Sequence, residues 1–276
     1  MPELAARLLR TPAGLIGITL LLAMLLVVVL GPLLAPYDPE AFHVTRRLQG
    51  PSAAFWLGTD QFGRDLLSRI LVGGRPAVLF GLGSTALAIV LGAIYGMLSG
   101  YAGGTADMIL MRILDIFMSI PALLLTLLIV TIMGSGTGNA MLAVALSFAP
   151  GFARLARGSA LSLRQTEFVN AAIARGEGPG YIVFREMLPN LMPALIVEGS
   201  IRVSLAIMIG ATLSYLGLGA QAPASDWGLL VAEARDYLFR YAGLLIFPAL
   251  AIGISALGFN LFGDALRDAL NPELAQ

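Results

Sequence analysis

Glu198 and Arg202 stand four residues apart inside an otherwise apolar stretch. That spacing puts both side chains on one face of a helix, where they can neutralise each other. Charges within a membrane are costly, roughly 2.5 to 3.5 kcal/mol each on insertion scales, and usually face a cavity or a partner. The pair therefore reads either as part of the wall of a polar pathway or as a structural ion pair. A second group, Asp107, Arg112 and Asp115, flanks another apolar run. There they read as a salt-bridge cluster at the inner membrane boundary, structural by default, with a gating or assembly role as the alternative. Bond-making chemistry has little to work with. The chain contains no Lys, so it lacks the residue with which a Walker A loop reaches nucleotide phosphates. It has no Cys for thiolate metal sites or nucleophiles, and a single histidine, His43, without a neighbouring ligand for a metal.

The elements that must position these groups are membrane spans. Of 276 residues 58% are hydrophobic and only 12% charged, and the mean hydropathy is +0.85. A soluble globule carries about a quarter charged residues. The formal net charge is zero, which points to no nucleic-acid partner. Six apolar segments are expected as helices, at about 13–34, 77–99, 113–133, 140–152, 188–218 and 241–262. The first is longer than the apolar part of a signal peptide and reads as a retained anchor. Gly92, Gly96 and Gly100 line one face of the second, for packing inside the subunit or against another. Trp56 and Trp227 fall beside expected outer span ends, where interfacial anchoring is the default role.

The expected organisation is a tail and first helix over 1–35, an external loop over 36–75, and a core of five helices over 76–276 with a polar insert at 159–189. Six spans put both termini on one side. With the N-terminus inside, the inner segments carry Arg7, Arg10, Arg112, Arg154, Arg157, Arg164, Arg175, Arg185 and Arg267. The outer segments carry Arg46, Arg47, Arg64, Arg69, Arg75, Arg235 and Arg240. This modest excess agrees with the positive-inside rule.

The insert holds Glu167, Asn170-Ala171-Ala172, Arg175-Gly176 and Leu188-Pro189. It resembles the EAA loop with which membrane subunits of ATP-binding-cassette (ABC) importers touch their ATPases. Further blocks follow in order: Leu57-Gly58-Thr59-Asp60, Gly63-Arg64-Asp65, Ser68-Arg69, Gly100 to Gly104, Asp107, Met111-Arg112, Asp115, Ser119-Ile120-Pro121, Leu213 to Gly219 and Trp227-Gly228. Together they are similar to the second, or C-type, permease of dipeptide, oligopeptide and nickel importers. Asn170 stands where that family has an acidic residue, Glu186 where it has His, and Gly210 where it commonly has Glu.

The resemblance implies an all-α polytopic membrane protein of six transmembrane helices with the type I importer, MetI-like fold. It lies in a bacterial inner membrane with both termini cytoplasmic. It also implies a non-catalytic subunit that forms half of a pathway with a homologous permease. Two ABC ATPase subunits would bind ATP and Mg, an extracytoplasmic binding protein would deliver cargo, and this chain would hold no cofactor. A helix around 166–174 would enter an ATPase groove, Gly176 would turn the chain, and Leu188-Pro189 would lead into the fifth span. Peptide is the leading cargo, with nickel chelate, glutathione or another small solute as alternatives. An ion-driven secondary transporter is a more distant reading, expected to show internal repeats that are not evident here. An intramembrane hydrolase lacks a His-Glu-x-x-His motif.

Overall fold

The computed structural model describes residues 11–270, so Arg7 and Arg10 lie outside the described residues. The chain runs through α1 (Pro12–Leu34), α2 (Leu66–Ala102), α3 (Gly104–Met118), α4 (Ala122–Met133) and α5 (Thr137–Leu163). It continues through α6 (Glu167–Ala174), α7 (Leu188–Tyr215), α8 (Trp227–Ala234) and α9 (Gly243–Leu270). Five helical runs are long and apolar enough to cross a bilayer, and six when the bent pair α3 and α4 counts as one span.

That pair departs from the expected continuous helix over 113–133. The two helices meet at 91°. Helix α3 closes at Ser119, and Pro121, which has no N–H to continue the ladder, opens α4 in an extended conformation. At 1.5 Å per residue the 12 residues of α4 cover about 18 Å, less than the ~30 Å hydrocarbon core.

Helix α2 also differs, beginning at Leu66 well before the expected 77, so residue 75 is helical and not part of a loop. Asp65 caps it by accepting the backbone N–H of Ser68 at 2.8 Å. Its 37 residues reach about 55 Å, enough to extend beyond the membrane on one side. The arginines in its first turns hid this extension from a hydropathy reading.

Helices α2 and α5 form the centre of the bundle. A Cβ at Gly92 would sit 2.5 Å from the Ala149 carbonyl oxygen, and one at Gly96 would overlap that of Ala153. The glycine face of α2 thus packs inside the subunit. Around this seam Ala88, Val144, Phe148 and Phe152 join Val169, Val183, Met187 and Leu195 in one core. Helix α1 is peripheral: Gly17 rests on the backbone of Leu261 and Phe262 in α9, Gly31 on that of Leu71, and most of its leucines face outward.

Trp227 overturns the expectation of an interfacial anchor. It is 2% exposed, with its ring against Gly73 and Gly74 of α2, and its Nε1 donates to the Ile70 carbonyl at 2.9 Å. A flat aromatic that fills the space left by two glycines gains more from burial than from a headgroup layer. Trp56, by contrast, is exposed.

Candidate functional site

The polar insert folds as an elbow. Helix α6 buries Val169 and Ala172 against the segment that follows it. It exposes Glu167, Phe168, Asn170, Ala171 and Ile173. Arg175 closes the helix, and Gly176 turns the chain at φ +79°, a conformation that strains any residue with a Cβ. The chain then re-enters a helical path at Pro179, passes through a π-helical stretch at Ile182–Met187, and continues without a break into α7. Pro189, which has no N–H to donate, follows directly on the π-helical stretch that interrupts the regular ladder.

Ile182, Val183 and Met187 are buried beneath α6, so the elbow is packed onto the root of a spanning helix. Arg175 spans the turn to Glu186 at 3.2 Å and approaches Glu177 at 3.8 Å. Glu186, in the position where the resemblance expected His, is therefore paired within the chain. Asn170 presents an uncharged amide on the exposed face, able to donate and accept hydrogen bonds but not to form an ion pair. The exposed face thus carries Glu167, Asn170 and Ala171, with Phe168 and Ile173 at its two edges.

Glu198 and Arg202 meet as the spacing predicts, with Nε 2.8 Å from Oε1. The Arg202 guanidinium also lies over Phe148 at 5.3 Å and Phe152 at 5.8 Å, within reach of cation–π attraction. Glu198 borders a cavity of about 440 Å³ together with Asn190, Pro193, Ile201 and Arg267. The pair is thus neutralised and held against α5, while Glu198 keeps one side toward open space.

The expected Asp107, Arg112 and Asp115 cluster forms with different partners. Asp107 is gripped by Arg157 of α5 and accepts the Ser99 hydroxyl at 2.6 Å, while Asp115 pairs with Arg154 at 2.9 Å. Arg112 shares the same groove but enters no ion pair among the described residues. Arg112 and Asp115 stand only three residues apart on one helix, yet they do not pair. The bend at residues 119–121 instead lays α3 across α5, whose arginines reach the aspartates first.

Sequence reasoning missed a buried charge network on the other side of the bundle. Arg64 bonds Asp60 at 2.6 Å and Glu233 at 2.9 Å, and Arg69 bonds the same two carboxylates at 2.9 Å each. Both arginines are almost wholly buried. The four charges cancel, and they tie the loop before α2 to α8. The signal was the Asp60 to Arg64 spacing, but Glu233 lies 164 residues beyond Arg69 and no local pattern connects them. Near this network, burial pushes the carboxyl of Asp226, the N-cap of α8, above its ordinary range. His43 packs against Tyr37 and Phe55. The ring of Phe80 fills the space beside Gly210, 2.5 Å from where a Cβ would stand, which explains why this chain has no room there for the Glu common in the family it resembles.

Comparison with known proteins adds to this geometry. Residues 88–276 match the family model described as binding-protein-dependent transport system inner membrane component, and residues 3–51 match the N-terminal TM domain of oligopeptide transport permease C. The chain is 44% identical over 263 residues to the probable D,D-dipeptide transport system permease protein DdpC of Escherichia coli (strain K12), covering 95% of this chain and 88% of that one. It is 44% identical over 242 residues to the glutathione transport system permease protein GsiD of Pectobacterium atrosepticum, covering 87% and 80%. It is 38% identical over 265 residues to the dipeptide transport system permease protein DppC of Alkalihalophilus pseudofirmus, covering 96% and 87%. Among solved structures, an inward-facing MetNI methionine ABC transporter chain superposes with a TM-score of 0.58 at 21% identity, covering 74% of this chain and 97% of that chain. That likeness establishes the MetI-type permease fold.

Proposed function

The chain belongs to the binding-protein-dependent transport system inner membrane component family, and from that membership we propose that it is the C-type permease subunit of an ATP-driven peptide importer. It forms half of the translocation pathway, and a homologous permease forms the other half. Two ABC ATPase subunits bind ATP and Mg and drive the cycle, and an extracytoplasmic binding protein delivers the cargo. Both termini lie in the cytoplasm of a bacterial cell. Family membership favours this reading over an ion-driven carrier.

The elbow is the observation that carries the proposal. A peptide is polar and cannot cross hydrocarbon, so its path must open alternately to either side. An ATPase can drive that change only by gripping something rigidly joined to the spanning helices. Helix α6 exposes Glu167, Asn170 and Ala171 beside Phe168 and Ile173, and its buried side rests on the root of α7. Ala172 packs inward, Arg175 and Gly176 set the turn, and Leu188 and Pro189 join the elbow to the span. An amphipathic helix of this kind suits a groove on a partner.

Glu198 and Arg202 are assigned to the pathway wall, supported by the cavity beside Glu198. Asp107, Arg112 and Asp115 are assigned to gating, because Asp107 and Asp115 clamp the bent α3 onto α5. Peptide as cargo rests on the dipeptide permeases among the relatives. Glutathione, itself a tripeptide, is the second reading, favoured by the GsiD relative.

Gly176→Trp tests the coupling role. Space beside Gly176 is open, so the variant is expected to insert and assemble while ATP hydrolysis no longer drives uptake in proteoliposomes. Normal uptake by that variant would contradict the assignment. For the pathway wall, a Glu198→Gln, Arg202→Gln double variant should fold and lose transport; normal transport would reduce the pair to a structural role.

A further inference from the structure

On the side of the bundle nearest the elbow, α3 and α5 enclose a groove of about 440 Å³ lined by Asp107, Met108, Arg112, Asp115, Arg154 and Arg157. Three arginines face two aspartates, which leaves one positive charge in excess. Both aspartates are engaged, Asp107 by Arg157 and Asp115 by Arg154. Arg112 is exposed and enters no ion pair among the described residues.

The depth of the groove follows from α5, whose first charged residue after Thr137 is Arg154. Those 17 positions (154 − 137) correspond to about 26 Å at 1.5 Å per residue, near the edge of a ~30 Å hydrocarbon core. Helix α3 lies across α4 at this level. Ile109, Ile113 and Ile116 form an exposed apolar stripe along it at i, i+4 and i+7. A helix set at a right angle to α4, with an apolar stripe on one side and arginines beside it, has the build of an interfacial helix.

We propose that this groove binds the headgroup phosphate of an anionic phospholipid. Arg112 is the principal donor, Arg154 the second, and the acyl chains run along Ile109, Ile113 and Ile116. Guanidinium groups match phosphate oxygens in a two-point geometry, and basic recesses between spanning helices at a membrane surface favour anionic lipid. The excess charge calls for an anion, and the apolar stripe calls for one that carries hydrocarbon. This inference is independent of which cargo is imported.

The test uses the importer purified in detergent with its partner subunits. Phosphatidylglycerol, phosphatidylcholine and inorganic phosphate are each titrated while bound lipid is read by native mass spectrometry and unfolding by a thermal scan. The parent is expected to retain phosphatidylglycerol over phosphatidylcholine and to unfold later in its presence. Arg112→Gln should weaken retention about five-fold, the effect of one basic residue near an anionic surface, and Arg112→Lys, which keeps the charge but not the two-point geometry, should restore only part of it. Asp115→Asn, which releases Arg154, should tighten binding. Equal retention by the parent and a folded Arg112→Gln variant would overturn the proposal. So would equal stabilisation by inorganic phosphate, which would make the ligand a free anion. A photocrosslinker at position 112 that captures the second permease in place of lipid would also overturn it.

Discussion

Arg157 holds both carboxylate oxygens of Asp107, with Nε 2.6 Å from Oδ1 and Nη2 2.5 Å from Oδ2, joining helices whose residues lie 50 positions apart in the chain. The paired geometry fixes the angle at which α3 leaves α2, because Ser99 of α2 donates to the same carboxylate. Asp107→Ala would leave the guanidinium of a mostly buried pair without its partner. Reduced by the partial exposure of Arg157, the expected loss is about 1–3 kcal/mol, read as earlier thermal unfolding of the detergent-solubilised protein. Unfolding at the parent temperature would show that the pair does not hold α3.

Gly96→Ala should destabilise the chain although alanine is the better helix former by about 1 kcal/mol. The added methyl group meets the Ala153 carbonyl, and prising α2 from α5 should cost about 1–3 kcal/mol. Gly104→Ala is not a useful control, since its φ of +60° is itself unfavourable to alanine. Gly158→Ala is a suitable one, with open space around it and an expected small gain in stability. The comparison is made by thermal unfolding of both variants.

Glu233→Gln removes one of the two acids that neutralise Arg64 and Arg69. A buried guanidinium left short of charge is expected to cost about 3–5 kcal/mol. The loss should appear first as faster proteolysis in the loop before α2, since that loop is what the network ties to α8. Intact protein under conditions that spare the parent would support the prediction's opposite, a loop held by packing alone.

Asp226→Asn should act with a sign set by pH. Burial raises the carboxyl above its usual range, so the folded chain holds the proton more tightly than the unfolded chain. The penalty for ionisation is absent below the unfolded value of about 3.9 and grows as pH rises through the raised folded value. Asparagine caps a helix as well as aspartate does. The variant should therefore unfold later than the parent at about pH 7, with the difference closing toward about pH 4. A difference that does not vary with pH would mean the cap, not the charge, is being measured.

The legible features were those in which one segment decides its own structure. The charge-free runs announced their spans, the i, i+4 spacing announced the Glu198–Arg202 pair, and Gly176 announced the turn of the elbow. What could not be read depended on residues far apart in the chain. Arg69 looked too polar for a helix interior because Asp60 and Glu233, which neutralise it, lie in other elements. Trp227 looked like an anchor because the slot left by Gly73 and Gly74 exists only once α8 folds back. Pro121 was visible, but whether a proline kinks a span or sets two helices at a right angle is decided by what α3 can grip, which is Arg154 and Arg157 on α5.

From Pro179 to Tyr215 the backbone is helical over 37 residues, a strut of about 55 Å at 1.5 Å per residue. A strut that long behaves as a lever arm. Tilting it by about 10° about one end swings the other through roughly 10 Å, given that length. A push at the elbow would be passed on to the far end of the strut to the extent that the π-helical stretch, Pro189 and Pro193, the points where this helix can bend, stay straight.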